Sequence, residues 1–480
     1  MHSLLRLSVL LIFAGCSNAS SNGGGSPAEN CGGLHNDSGN SGGAGPAGGV
    51  NGSLGVGGSV GTGGKVGVGS GGTPPDASLG GNSSAGGSPA ATGGSGNSAA
   101  STCRNLFLER GHTSAEIASK LTKTWDSLFA GTDQQRVYYE VGQDEAYILD
   151  VANDDVRSEG VSYGMMIALQ LDQRVAFDRL WNWASRHMLH TTGPRKGYFA
   201  WQCGKDGQKR DPNPASDGEA YFATALLFAD ARWGSSTGVD YAAAARDILT
   251  TMLHKEDGGV VESVMNMFNK TEKMVVFTPY ASAALFTDPS YHLPAFYEVW
   301  AKSAPSVEDA AFWAEAATTS RAFFGKTMHP TTGLAPDYAL FDGQPTGAGH
   351  MEFRFDAWRV IGNLAVDAAW WGKNTEAAAL ARRLLAFFEK EGVASYGNQY
   401  ALDGNKLSGD HSPGLVAMNA LGALALPQGE ADAFIDALWS LEPPSGQYRY
   451  YDGMLYALAM LHASGQFRVY GPAAAAAACH

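Results

Sequence analysis

"PGLVAMNALGALAL", residues 413 to 426, is apolar on nearly every side of a helix. A helix without a polar face must be covered all round, so this one belongs inside a larger helical structure. "DGMLYALAMLHA" (452–463) has the same character. Two neighbouring stretches do not. "TEAAALARRLLAFFEKE" (375–391) carries Arg382, Arg383 and Lys390 away from a stripe of Leu380, Leu384, Phe387 and Phe388, and "EADAFIDALWSLE" (430–442) is amphipathic in the same way. Helical spacing recurs over 114–129, 162–190, 218–232, 308–326 and 356–371, separated by Gly, Pro and Asn turns. Buried and amphipathic helices alternate along the chain. Two concentric layers would produce that order, so the expectation is an all-α toroid of inner and outer helices. A generic multi-helix bundle shares the periodicity and stays open at this point.

The helical region runs from Cys103 to about Tyr470 without a second compositional break, which sets one domain over 103–472. Residues 17–102 are Gly, Ser, Ala and Asn with almost no large apolar side chain, and about half of the 62 glycines lie there. Such a stretch cannot bury enough apolar surface to offset chain entropy and reads as a flexible tether. Ahead of it, Arg6, the mostly apolar run from Leu7 to Ala14 and "FAGC" ending at Cys16 read as an export signal, too short to span a bilayer. The run resembles a lipobox, with Cys16 as the lipidated residue and the membrane anchor. An ordinary cleaved signal is the plainer alternative. Either way the protein leaves the cytoplasm, for an outer membrane, a cell surface or the medium. The alanine-rich end, 473–480, is expected to fray.

Of the 5 cysteines, Cys31, Cys103, Cys203 and Cys479 remain once Cys16 is assigned, and an oxidising compartment permits disulfides among them. No pairing follows from their spacing. Cys203, in an apolar and aromatic segment, reads as a buried free thiol. Without a Cys-x-x-Cys or a histidine cluster, neither metal nor cofactor is expected. The net charge of −14 and pI near 5.3 exclude nucleic acid and anionic polymers as ligands, because both reward clustered Lys and Arg. A neutral ligand fits, and a monomer is expected.

Three acids stand at the mouths of apolar helices: Glu159 in "DVRSEGVSYGMM" (155–166), Asp217 in "PASDGEAYFATALLFADARW" and Asp356 in "FRFDAWRVIGNLAVD". One such acid is ordinary, since the helix dipole favours it. Three of them beside Tyr163, Tyr221, Phe222, Phe355 and Trp358 point to a cleft. Glycoside hydrolysis needs these parts: a protonated acid for the leaving oxygen, a carboxylate to deprotonate water, and aromatic faces for sugar rings. Trp201 in "GYFAWQCGKDG", Tyr198, Tyr280 and Tyr291 are candidate platforms, although aromatics in such segments are more often core.

"ASDGEAYFATALLFADARW" (215–233) resembles the signature of glycoside hydrolase family 8, departing from it at Glu219, where Asp is usual, and at Phe222. "SEGVSYGMM" resembles that family's general-acid segment and "FDAWRV" its base segment. "YYEVG", "GYFAW", "DPSYHLP" and "YRYYDG" extend the likeness from about 103 to 470, closest to the reducing-end xylose-releasing exo-oligoxylanases. The resemblance implies an (α/α)6 barrel and inversion at the anomeric carbon. It implies Glu159 as general acid, Asp356 as general base, and Asp217 as the residue holding the distorted sugar. Tyr163, Arg359 and Tyr451 join the four platforms as substrate contacts. The substrate implied is a xylo-oligosaccharide or xylan. Glu159, near Tyr163, Met165 and Met166, is expected to be protonated at working pH. Asp356, beside Arg354 and Arg359, is expected to be ionised. In "SGDHSPGLVAMNA" His411 matches a histidine that closes the leaving-group side, with Ser412 before Pro413 where the family has His; simple capping of the helix start is the plainer role. An endo-β-1,4-xylanase and a non-catalytic carbohydrate-binding lipoprotein are the competing functions.

Overall fold

The structure is a computed structural model that describes residues 103–235, 238–347 and 349–478. The anchor at Cys16 and the tether over 17–102 lie outside those residues. The helices, in chain order, are α1 (Leu106–Glu109), α2 (Ser114–Ala130), α3 (Ser158–Gln170), α4 (Arg174–Trp183), α5 (Ser216–Trp233), α6 (Tyr241–His254), α7 (Pro294–Ser303), α8 (Val307–Thr327), α9 (Arg359–Trp371), α10 (Ala377–Glu391), α11 (Pro413–Leu421), α12 (Asp432–Ser440) and α13 (Arg449–Ala463).

From α2 onward they alternate between two layers. In α11 every residue from Gly414 to Leu421 is buried, and in α3 every residue from Gly160 to Gln170. The α10 helix buries Leu380, Leu384, Leu385 and Phe388 but leaves Arg382 and Lys390 exposed. The fully covered helices close a ring: α3 packs on α5, α5 on α7, α7 on α9, α9 on α11, α11 on α13, and α13 returns to α3. Outside it, α4 lies on α3, α6 on α5, α8 on α7, α10 on α9, α12 on α11 and α2 on α13. This is the expected (α/α)6 toroid. Because each outer helix returns the chain, the inner helices share a direction and their N-termini gather at one mouth.

The stretch 162–190 is two helices. The chain breaks at Leu171–Gln173, where Asp172 sits at φ 59°, and passes from inner α3 to outer α4. The helical spacing also missed α6 and α7. "YAAAARDILTTMLH" is rich in alanine, which contributes little to an apolar stripe, and α7 is short and opens on Pro294. A five-stranded antiparallel sheet, β1 (Tyr138–Val141), β2 (Glu145–Asp150), β3 (Asp155–Arg157), β4 (Gln202–Cys203) and β5 (Lys209–Asp211), packs through β2 on α3, α4 and α13. β3 runs straight into α3, so the sheet fixes where Glu159 begins. Two hairpins follow, β6 (Phe268–Asn269) with β7 (Met274–Val275) and β8 (Gln399–Tyr400) with β9 (Lys406–Ser408).

The expectation of a frayed tail from 473 fails over the described residues. Gly471–Ala476 form a 3-10 turn, Ala473 is fully buried, and the Ala478 N–H donates to the Trp370 carbonyl at 2.8 Å. Tyr470 anchors the segment, its ring against Phe228 and its hydroxyl 2.6 Å from Arg232 Nη1. Cys203 is a buried free thiol, as its surroundings suggested, and burial pushes it up to about 11. Cys103 is disulfide-bonded. Among the described residues no helix is long and apolar enough to cross a membrane.

Candidate active site

The N-termini of α3 and α5 and the 3-10 turn Phe355–Trp358 that leads into α9 bring Glu159, Asp217 and Asp356 to one point, and a single guanidinium joins them. Arg359 Nη1 lies 2.9 Å from Glu159 Oε2, 2.8 Å from Asp217 Oδ2 and 2.5 Å from the Tyr163 hydroxyl. Its Nη2 lies 2.8 Å from Asp356 Oδ1 and donates to Ser290 Oγ at 2.9 Å. Three carboxyls so close would repel one another without this central cation, whose planar fork can serve several acceptors at once.

The three acids are not equivalent. The Asp217 side chain is 4% exposed, Glu159 16% and Asp356 27%, so water reaches Asp356 most easily. Burial pushes Glu159 up to about 8; the charge of Arg359 opposes this, those of Asp217 and Asp356 add to it, and a hydrogen bond from the Tyr450 hydroxyl to Oε1 at 2.9 Å opposes it. Burial likewise raises Asp217, against Arg359. The arrangement sets a carboxyl that burial keeps protonated near neutral pH beside a more exposed Asp356 paired with the same guanidinium. The Arg359 guanidinium thus stands between Glu159 and Asp356, bonded through Nη1 to the first and through Nη2 to the second. Phe355, just before Asp356, is 42% exposed and held at φ 35°, a left-handed conformation that costs a non-glycine residue energy.

Several expected binding residues are here. Tyr163, 2% exposed, holds its hydroxyl on Arg359 Nη1, and Tyr291, 6% exposed, has its ring centroid 5.5 Å from the Arg359 guanidinium. The Tyr451 hydroxyl donates to the Phe355 carbonyl at 3.0 Å and lies 3.5 Å from Asp356 Oδ1. Arg359 is the organiser of the carboxyls rather than an open sugar contact. Tyr198 is a correction: it is fully buried, its hydroxyl donates to the Met265 carbonyl at 2.8 Å, and it is core rather than platform. Phe222 is core for the same reason. Trp201 and Tyr280 are partly exposed, their rings covered by Arg157 at 5.5 Å and Arg195 at 5.0 Å.

His411 does not cap α11. Its Nδ1 pairs with the Tyr396 carbonyl at 2.8 Å, while the Gly414 N–H donates to Asp452 Oδ1 at 2.8 Å. The sequence reading missed Tyr450 and Ser290, although both stand inside the quoted blocks "YRYYDG" and "DPSYHLP". No group of His, Cys, Asp or Glu among the described residues could hold a metal.

The chain matches the model of glycosyl hydrolases family 8 over residues 141–465. It is 44% identical over 376 residues to a reducing-end xylose-releasing exo-oligoxylanase of Paenibacillus barcinonensis, covering 77% of this chain and 97% of that one. A second protein of that description, from Halalkalibacterium halodurans, is 43% identical over 377 residues, covering 77% and 95%. Among solved structures, a family 8 xylobiose complex from Teredinibacter turnerae superposes with a TM-score of 0.74 at 45% identity, covering 76% of this chain and 97% of that one. A closed ring of six inner helices, three acid-bearing motifs gathered at its mouth and relatives matched over nearly their whole length lead to one conclusion: the chain belongs to glycosyl hydrolase family 8.

Proposed function

We propose that this protein is an inverting glycoside hydrolase that releases xylose from the reducing end of xylo-oligosaccharides. The observation that carries the reading is the Arg359 node, which sets a protonated Glu159 opposite Asp356. Glu159 gives its proton to the leaving glycosidic oxygen as the C–O bond breaks. Water bonds to the anomeric carbon from the other face and its proton passes to Asp356, so a β-linkage yields an α-anomer. Asp217, buried and tied to Arg359 Nη1, holds the sugar between them. The named activity of the Paenibacillus and Halalkalibacterium relatives supports xylose release from the reducing end. A surface protein that only bound glycans would need neither the acid nor the base.

An endo-xylanase is the second reading, favoured by the 45% identity to a Teredinibacter turnerae xylanase solved with xylohexaose. Proton NMR of xylotetraose in the first minutes of reaction separates the two. Xylose with xylotriose, the new reducing end appearing first as α, is the expected result, with an end-reduced substrate left intact. Xylobiose as the main early product, or rapid attack on long xylan, would establish endo cleavage. Export with a lipid on Cys16 completes the reading. Labelled palmitate should enter the protein in its host, and Cys16→Ala should abolish that labelling.

A further inference from the structure

Glu219, the point at which the α5 motif departs from the family signature, is a carboxyl that the mechanism leaves unused. It is fully buried. Its Oε1 accepts the Phe199 N–H at 3.0 Å, and its Oε2 has no hydrogen-bond partner. Burying a carboxyl with half of its capacity unmet is costly unless the group is neutral or fixes something.

What it holds is a strap. Residues 199–201 cross from Glu219 to the start of α3, where the Ser158 N–H donates to the Trp201 carbonyl at 2.9 Å. Ser158 immediately precedes Glu159, and Glu219 lies two residues after Asp217. The strap thus joins the first turns of the two helices that aim the acid and the sugar-holding carboxyl at the same Arg359 nitrogen. The approach is close on the other side as well: a Cβ at Gly218 would stand 2.5 Å from Ser158 Oγ. We propose that Glu219 is a positioning residue, which through the strap 199–201 sets the distance between Glu159 and Asp217.

The inference rests on the hydrolytic reading of those two acids. Burial pushes Glu219 up to about 8, the Phe199 bond opposing and Asp217 adding. The titratable groups facing it are Asp217 on its own helix and Tyr198 on the strap side. It therefore works as a neutral acid, so a glutamine of the same length can replace it.

The test uses the full chain with Glu219→Gln and Glu219→Met, the latter similar in length but without the acceptor. Turnover is measured on whichever β-1,4-linked glycan the wild type cleaves. The Met variant should lose about 100-fold in kcat with KM changed by less than about threefold, as expected for misplaced reacting groups. The Gln variant should recover kcat to within about fivefold. A buried carboxyl with a raised value binds its proton more tightly when folded. The stability it supports is complete below about pH 4.5 and declines as pH rises toward 8. From pH 5 to pH 8 the Tm of the Gln variant should therefore gain on that of the wild type.

A folded Met variant with wild-type kcat, or a Gln variant as slow as Met, overturns the proposal. Should the Met variant not fold, the Gln variant decides: an unchanged Tm difference between pH 5 and 8 overturns it. A wild type that cleaves no glycan defeats the hydrolytic reading instead. A crystal structure of the Met variant then tests the strap alone, and Glu159 and Asp217 unmoved on Arg359 would overturn it.

Discussion

In the proposed reaction Glu159 has to be an acid at a pH where a solvated glutamate is an anion, and its neighbours divide that task. Burial and two carboxyls favour the proton, while Arg359 and Tyr450 favour the charge. Because the working form of Glu159 is protonated, kcat should fall with one proton above the value near 8; a rate that keeps rising to pH 10 would remove Glu159 as the acid. The Tyr450 bond stabilises the ionised form. Tyr450→Phe should therefore move that alkaline limb to higher pH, with kcat reduced by roughly 10-fold or less. Asp356→Asn should remove nearly all turnover, roughly 1000-fold or more, while leaving the melting temperature within a few degrees; undiminished turnover would discard the base assignment. The three acids were legible in the sequence because each opens an apolar helix, where a charge needs a reason. Tyr198 was not, since a buried ring and a sugar platform leave the same mark on composition. Tyr450 and Tyr451 are adjacent on one helix, about 100° apart, and only the packing of α13 against α3 decides that Tyr450 meets the acid.

At the scale of elements, the site depends on how closely α3 and α13 approach. A Cβ on Gly160 would lie 2.4 Å from Tyr450 Cε2, a distance that no side chain tolerates. Gly160→Ala should push Tyr450 away from Glu159. It should cost stability by about 1–3 kcal/mol, as overpacking does, and reduce kcat more than Tyr450→Phe, because the helix shifts as well as the hydroxyl. Equal kcat in the two variants would mean that α13 absorbs the methyl without moving. The segment before α11 is held by the His411 bond to the Tyr396 carbonyl, and by Asn398 Nδ2, which donates to Ser412 Oγ at 2.7 Å. If this segment closes the leaving-group side, His411→Ala should change the ratio of xylose to longer products more than the overall rate. An unchanged product pattern would say that it does not. The alternation of buried and amphipathic stretches revealed the two layers. The break at Asp172 stayed hidden because its positive φ carries no Gly or Asn signal, and α6 because alanine marks no face.

The whole molecule differs at its two ends. The ring of inner helices closes within the described residues, from α3 round to α13 and back, and a tether is the expectation for residues 17–102 ahead of it. Their composition agrees, with hardly a large apolar side chain to contribute. Removing residues 17–102 should leave the melting temperature and kcat of the enzyme unchanged, and a clear fall in Tm would show that the segment packs. Removing residues 471–480 should behave differently. That cut takes away buried Ala473, the Ala478 bond to Trp370 and the turn that follows Tyr470, uncovering surface of α7 and α5. A loss of a few kcal/mol in a domain of this size lowers Tm by about 2–5 °C. Turnover at low temperature should nevertheless persist, because the described tail contacts lie away from the carboxyl mouth: Trp370 is near the C-terminal end of α9, and Arg359 begins it. A truncated enzyme with unaltered Tm would show that the docked tail adds nothing, and one that lost kcat without losing Tm would show that it reaches the site.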